Sequence, residues 1–136
     1  MDQEIVFIDA NIFLEFFLDN EYADQAETFL KKVKSKEIIA CTSDFVVYTC
    51  LIQIQYKLKS LQIMKEFILF LNTLEIEIIQ PSFPLMIQTL EFMKKYTLDF
   101  DDALVVTCLY NQDLKVLFSY DKDFDKVSII QRKVPE

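Results

Sequence analysis

Short apolar runs alternate with longer runs of helical periodicity along this chain of 136 residues. The short runs predict strands over residues 4–8, 38–41, 74–79, 115–119 and 127–131. The longer runs predict helices over 11–18, 22–34, 44–57, 61–72, 84–96 and 99–110. No tight β-hairpin signal links two strands, so neighbouring strands are expected to run parallel. The sequence therefore predicts an α/β fold with a central parallel sheet of about five strands and helices on both faces.

The same pattern predicts one domain over residues 1–136, because there is no internal repeat or linker and 52% of the residues are hydrophobic. The amino terminus lacks a basic region followed by an apolar core, so no signal peptide is expected. The longest apolar run, 45–52, is too short to cross a bilayer. A cytoplasmic protein with no membrane partner is the expectation.

The chain has no Gly, no His and no Trp. Without Gly there is no phosphate-binding loop of the Walker or GxGxxG type, and without His there is no Ser-His-Asp triad or ordinary catalytic zinc site. The three cysteines, Cys41, Cys50 and Cys108, show no CxxC spacing and are predicted to be buried and reduced. Helix ends must also form without Gly, and Asn20 is expected to replace it after the first helix.

Acidic residues recur at the carboxyl ends of the predicted strands, where parallel sheets bind their ligands. Asp9 follows the first strand, and Asp121 follows the fourth. Asp99 and Asp102 are three apart at a helix start and are expected to project from one side, with Asp101 turned to solvent. Carboxylates gathered at one edge repel unless a cation offsets them, and hard oxygen ligands suit Mg²⁺ or Mn²⁺.

Each acid also has a structural interpretation. Asp9 can cap the helix that follows it, and the acids near residue 100 suit a helix amino terminus. Asp121 suits an Asx turn, while Asp123 and Asp125 are expected to be ordinary loop charges. The metal-site hypothesis therefore depends on whether the acids converge.

Three segments in this order and spacing, FIDANIF, LDFDDALVV and FSYDKDF, resemble the PIN-domain family of metal-dependent nucleases, which includes toxins of the VapC type. The resemblance covers essentially the whole chain. It implies a PIN-like three-layer fold, cleavage of single-stranded RNA to 5′-phosphate and 3′-hydroxyl products, and an acidic site for one or two divalent metals. It also implies an antitoxin protein as a partner and a homodimer as an alternative assembly.

Carried over by residue, the resemblance assigns Asp9, Asp102 and Asp121 as metal-binding acids. Asn11 and Ser119 correspond to polar groups that orient waters or ligands, and Asp99 is an accessory acid.

The family usually has a glutamate about six residues after the Ser that opens the helix after strand two. Counting from Ser43 gives Thr49, which cannot supply a charged ligand. Asp44 is a poor substitute, and Glu15 is a stand-in without direct support. This departure indicates a site that binds metal weakly, or a domain that no longer cleaves RNA.

Three functions therefore stay open. The first is a Mg²⁺- or Mn²⁺-dependent endoribonuclease, and the second is an inactive PIN-like module that binds protein or RNA. The net charge of −8 favours the second, although lysines cluster at 31–36, 57–59 and 94–95 and bound metal offsets part of the acidity. The third is a phosphotransferase of the haloacid-dehalogenase type. The sequence gives this hypothesis little support, because Asn11 of the DAN segment stands where that family has a second aspartate.

Overall fold

A computed structural model describes residues 3–136, so the first two residues of the predicted domain lie outside the described part. In chain order the elements are β1 (Ile5–Ile8), α1 (Ala10–Phe17), α2 (Ala23–Lys34), β2 (Ile39–Ser43), α3 (Asp44–Leu58), α4 (Leu61–Leu74), β3 (Glu77–Ile79), α5 (Leu85–Tyr96), α6 (Phe100–Asn111), β4 (Val116–Phe118) and β5 (Gln131–Lys133). A short 3₁₀ helix, Lys122–Lys126, lies between β4 and β5.

The five strands form one sheet in the order β3-β2-β1-β4-β5, and every neighbouring pair is parallel. In the central strand, Phe7 pairs with Cys41 of β2 and with Leu117 of β4. The chain builds outward from β1 to β3 and then returns to the other side of β1 with β4. This reversal makes the crevice between the carboxyl ends of β1 and β4 the expected ligand site. The predicted α/β fold class is confirmed.

The core forms where the central strands meet the helices. Phe7, Ile8 and Leu117 of the sheet are fully buried, and so are Phe13 of α1 and Phe67 of α4, whose rings meet edge to face. Helix α6 is buried continuously from residue 103 to 109, which explains why its sequence is apolar on nearly all sides. It packs against α5, while α1 packs against α2 and α3. None of the helices within residues 3–136 is long and apolar enough to cross a membrane.

The three thiols are free and buried, as predicted. Burial raises the pKa of Cys41 and of Cys108 to about 12 and raises the pKa of Cys50 further, because an apolar environment disfavours the thiolate. All three therefore behave as small core residues.

The prediction for the fifth strand was wrong in position. Residues 127–131 were expected to form it, but β5 begins only at Gln131. Val127 is instead buried at the end of the 3₁₀ helix, where its N–H donates to the Phe124 carbonyl over 3.1 Å. Its own carbonyl accepts from the N–H of Ile130 in a turn. Residues 127–130 are therefore mostly apolar because they form a turn that packs against the core. The edge strand β5 that follows them is polar.

Each of the six α-helices within residues 3–136 is followed, within two residues, by a residue with left-handed backbone, and none of these residues is Gly. They are Asp19, Lys36, Lys59, Glu75, Thr97 and Asp113, with φ between 50° and 67°. Asp19 takes this conformation after α1, so the expectation for Asn20 was wrong by one residue. Side chains with a Cβ cost free energy in this conformation, most of all when they are β-branched.

Thr97 is the one β-branched residue among the six, and it is exposed. We expect Thr97→Gly to raise the free energy of unfolding by about 1 kcal/mol, because relief of the left-handed strain exceeds the entropy cost of Gly. Urea unfolding followed by circular dichroism measures the change. The matched control is Thr28→Gly in α2, where an exposed Thr has helical neighbours and the same change should lower stability by about 0.5–1 kcal/mol. Equal losses in both variants would contradict the strain at Thr97.

Candidate active site

Asp9 lies directly after β1 and caps helix α1. Its Oδ1 accepts a hydrogen bond of 2.8 Å from the N–H of Ala10, so the capping role that the sequence allowed is present. Its Oδ2 accepts from the Ser119 hydroxyl over 2.7 Å and from the Asn11 amide over 3.3 Å. The side chain is therefore held from both β1 and β4, and only 8% of the residue's surface is exposed.

Asn11 and Ser119 connect the ends of the two central strands. The Asn11 side-chain N–H₂ donates to the Ser119 hydroxyl over 3.0 Å, and its Oδ1 accepts from the N–H of Tyr120. The Ser119 hydroxyl donates to Asp9 and also accepts from the N–H of Asp121 over 3.1 Å. One donor and two acceptor positions are all that a hydroxyl offers, so Ser119 is fully used by the protein. The hydrogen bonds of these two residues hold Asp9 and the end of β4 in place.

Three other carboxylates converge at the same edge. Asp102 in the first turn of α6, and Asp121 and Asp123 after β4, each bring an oxygen within 4.8 Å of the others. Asp121 forms the predicted Asx turn, in which its Oδ1 accepts from the N–H of Asp123 over 2.9 Å. The turn folds the chain so that Asp123 comes back beside Asp121.

Asp123 was therefore wrongly predicted to be an ordinary loop charge. The signal that could have identified it is the D-x-D spacing at an expected Asx turn, since that turn places two carboxylates close together. Asp125, by contrast, pairs with Arg132 through two hydrogen bonds of 2.8 and 3.1 Å. Its carboxylate serves that ion pair, as expected for a loop charge.

Burial and mutual repulsion raise the pKa of the central acids. The pKa of Asp9 rises to about 6, mainly through desolvation, although the hydrogen bonds from Ser119 and Ala10 lower it. The pKa of Asp102 rises to about 7, first through desolvation and then through neighbouring charges, among them Asp101, Asp121 and Asp9. The acids thus share one electrostatic environment, although Asp9 lies outside the close group of three.

The predicted pairing of Asp99 with Asp102 was wrong. Asp99 precedes α6 with extended backbone, φ −69° and ψ 166°, and its charge is not among those that raise the pKa of Asp102. It is exposed and lies outside the acidic group. Asp101 is exposed, as expected, yet its charge raises the pKa of both Asp9 and Asp102. Asp101 thus affects the site through its charge, although its side chain is exposed.

The two substitutes considered for the family glutamate both lie elsewhere. The Glu15 carboxylate accepts from the N–H of Tyr22 and raises the pKa of Tyr120, and Asp44 acts on the pKa of Cys108. Thr49 precedes Cys50, whose thiol contacts the Ala10 carbonyl at 3.7 Å. Helix α3 therefore passes beside the start of α1, but it brings no carboxylate to the acidic group.

The acidic group has the chemistry of a divalent-cation site. Within residues 3–136 the ion pairs join Lys31 to Glu27, Lys115 to Asp113 and Arg132 to Asp125, and none involves the three clustered acids. No direct ion pair therefore offsets their negative charge, and the Arg132 guanidinium interacts with Asp121 only at longer range. The donors are all carboxylate oxygens, which suit Mg²⁺ or Mn²⁺ better than softer metals.

Comparison with known proteins gives the family and the fold. A sequence profile of the PIN domain matches residues 6–130, while no curated protein matches the chain. Three solved structures are similar at 13–16% identity: VapC20 of Mycobacterium tuberculosis, a sarcin-ricin loop cleaving toxin (TM-score 0.76), VapBC2 of Rickettsia felis bound to a promoter DNA fragment (0.75), and a toxin–antitoxin complex of Klebsiella pneumoniae (0.71). They cover 92–97% of this chain and 95–99% of theirs. At this identity the likeness shows a shared fold.

The raised pKa of Asp102 makes the acidic group a source of instability above neutral pH. The folded pKa lies above the unfolded one, so this carboxylate lowers the free energy of unfolding as the pH rises from about 4 to about 7. We expect Asp102→Asn to stabilise the metal-free protein by about 1–2 kcal/mol at pH 8, with allowance for solvent screening, and to have little effect at pH 4.

Urea unfolding in EDTA at pH 4, 6 and 8 measures this difference. The matched control is Asp99→Asn, which changes an exposed acid of the same segment and should alter stability by less than about 0.5 kcal/mol at each pH. A variant at position 102 that is no more stable than wild type at pH 8 would contradict the repulsion described above.

Proposed function

The chain belongs to the PIN-domain family, and on that basis we propose that it is a divalent-metal-dependent endoribonuclease that cleaves single-stranded RNA. The observation that carries this proposal is the convergence of the Asp102, Asp121 and Asp123 carboxylates where β1 and β4 end. Ligand sites of open parallel sheets lie at this edge, and the family is one of nucleases.

Asp102, Asp121 and Asp123 would hold a Mg²⁺ or Mn²⁺ ion, with Asp9 adding its charge from the buried side. When bound, such a cation lowers the pKa of a water molecule for attack on a phosphodiester and offsets the charge of the transition state. Asp123 would supply the negative charge that Thr49 does not. This assignment explains how a site without the family glutamate can still hold a cation.

The remaining residues position the acids. Ser119 and Asn11 keep the Asp9 carboxylate turned toward the edge and fix the amides of Tyr120 and Asp121. A small displacement of the reacting groups lowers the rate of a reaction by a large factor. By holding the acids in position, this network would therefore support catalysis without binding the substrate itself. We therefore assign Asn11 and Ser119 as positioning residues.

We propose further that the protein acts in the cytoplasm as the toxin of a toxin–antitoxin pair. The similar structures from Rickettsia felis and Klebsiella pneumoniae are of toxin–antitoxin proteins, which supports a protein partner. Exposed large apolar side chains on α3 and α4 offer a surface for an antitoxin or for a second copy of the chain: Tyr48, Ile52, Tyr56, Leu61, Ile68 and Leu69.

Calorimetric titration of Mn²⁺ tests the site directly. We expect wild type to bind with a millimolar or lower Kd at pH 8, and more weakly at pH 6, because protons on Asp102 and Asp9 must leave. Asp121→Asn and Asp123→Asn should each weaken binding by at least tenfold, since each removes one charge from the donor set. Asp9→Ala should also lose binding.

The control for the titration is Asp24→Asn, which removes an exposed acid in the first turn of α2, away from the acidic group. It should bind Mn²⁺ like wild type. Unchanged affinity in both Asp121→Asn and Asp123→Asn would contradict the proposed site, whatever the wild-type affinity.

Cleavage of single-stranded RNA in Mn²⁺ tests the activity. We expect Asp121→Asn to lower kcat by at least 100-fold, because it removes a metal-binding charge, and to keep the wild-type melting temperature in EDTA. Ser119→Ala should lower kcat by a smaller factor, since it loosens Asp9 without removing a charge. Undiminished cleavage by Asp121→Asn would refute the assignment.

The alternative is a weakened PIN domain that acts as a binding module, and the observation that favours it is Thr49. Under this alternative wild type binds a partner protein but does not cleave RNA, and Thr49→Glu produces metal-dependent cleavage. Activity in wild type that Thr49→Glu leaves unchanged would favour the endoribonuclease with Asp123 as the additional acid.

A further inference from the structure

Two tyrosines stack on each other, and one of them directly precedes Asp121 in the chain. The rings of Tyr22 and Tyr120 are nearly parallel, with centroids 4.7 Å apart and planes inclined by 12°. Tyr120 lies between Ser119 and Asp121, and its N–H is fixed by Asn11. Tyr22 lies at the start of α2, where its N–H donates to Glu15 over 3.0 Å. Tyr120 is therefore tied through its backbone to the network that holds Asp9, and Tyr22 packs on Tyr120.

The aromatic pair lines a cavity of about 410 Å³ together with Gln25, Lys122, Arg132 and residues 134–136. This volume is within the range of small-ligand pockets. Tyr22 is 40% exposed although one face of its ring is stacked, so ring surface is left for a ligand. The cavity has an aromatic wall and polar, cationic neighbours, and it begins one residue from Asp121.

A second cavity of about 600 Å³ continues from the first along β5 and shares Arg132 with it. The linings of the two cavities include four cationic side chains and one acidic side chain, Glu136. The cations are Lys32, Lys122, Arg132 and Lys133. In a chain with a net charge of −8, this groove is a local concentration of positive charge.

The cations differ in how free they are to bind an anion. The Arg132 guanidinium is held by two hydrogen bonds to Asp125 and one of 3.0 Å to the Ser119 carbonyl, so it shapes the groove. Lys122 forms no ion pair within residues 3–136 and is exposed. Its ammonium group is the one next to the aromatic pair that can approach a phosphate.

We infer that this cavity binds a nucleotide next to the phosphodiester that is cut, with the base against the tyrosine pair and a phosphate near Lys122. The inference rests on the proposed endoribonuclease function and adds the subsite that holds the substrate. A base must be unpaired to stack on a side chain, so the subsite selects single-stranded RNA with little dependence on sequence. The Lys122 ammonium beside the stacked rings favours a nucleotide over a protein segment, because it can pair with a phosphate while the base stacks on the ring.

Binding measured without cleavage tests this subsite. A fluorescently labelled single-stranded RNA of 12 nucleotides is titrated, in EDTA, with protein in the Asp121→Asn background. This background removes a carboxylate that cleavage needs and keeps an oxygen to accept the N–H of residue 123. Adding Tyr22→Ala should weaken binding at least tenfold, whereas Tyr22→Phe should stay within threefold because the stacking ring remains. The same sequence as a duplex should bind at least tenfold more weakly than the single strand.

The Lys122→Gln variant tests the phosphate contact. It should weaken binding severalfold and reduce the slope of log affinity against log salt by about one, which loss of a merely structural contact would not do. The matched control is Phe83→Ala before α5, an exposed aromatic residue that does not line either cavity. It should bind RNA as the background protein does.

The outcomes separate this inference from the proposed function. Binding that Tyr22→Ala and Lys122→Gln leave unchanged overturns the subsite even if wild type cleaves RNA. Binding weakened as expected, in a protein that shows no cleavage, supports the subsite and refutes the nuclease assignment. Absence of any RNA binding overturns the subsite, and so does an equal loss in Phe83→Ala. Capture of a peptide in the groove would also overturn it.

Discussion

The hydrogen bonds among Asp9, Asn11 and Ser119 are the constraint on which the rest of this site depends. They join the ends of β1 and β4, which are neighbours in the sheet but separated by more than a hundred residues of chain. Through the amides of Tyr120 and Asp121, the same network fixes the segment that carries Asp123. A carboxylate that is desolvated to this degree would be unfavourable without these partners. The buried residues Asp9 and Ser119 thus help to determine where the more exposed acids Asp121 and Asp123 lie.

The elements with strong periodicity could be predicted from the sequence, since local pattern determines them. The order of strands and the edge where Asp9 and Asp121 meet follow from parallel topology. Side chains at element boundaries could not be predicted in this way. Asp99 was assigned helical spacing although its backbone is still extended, and Asp123 depends on a turn that a side chain forms. Val127 is apolar because a turn is buried there, and pattern alone does not distinguish that from a strand.

The acidic group shows a conflict between stability and function. Repulsion and desolvation disfavour the charged form of Asp102, which is the form that binds a cation. A bound cation would remove much of this cost. The strain at the six left-handed helix ends is a separate cost that comes from a chain without Gly. Asp102 and the six left-handed residues all lie outside the buried segments of α6 and β1.

The buried thiols give this protein internal reporters of local opening. Cys50 contacts the carbonyl of Ala10, directly behind the Asp9 carboxylate, whereas Cys41 and Cys108 lie within the core at other positions. A thiol that is both enclosed and protonated reacts with alkylating reagents only when the structure around it opens. The alkylation rate at Cys50, relative to that of a fully exposed thiol, therefore gives the opening free energy around the strand end that supports the site, and comparison with the other two thiols tells whether that opening is local. The chain needs no introduced label to make that local equilibrium measurable.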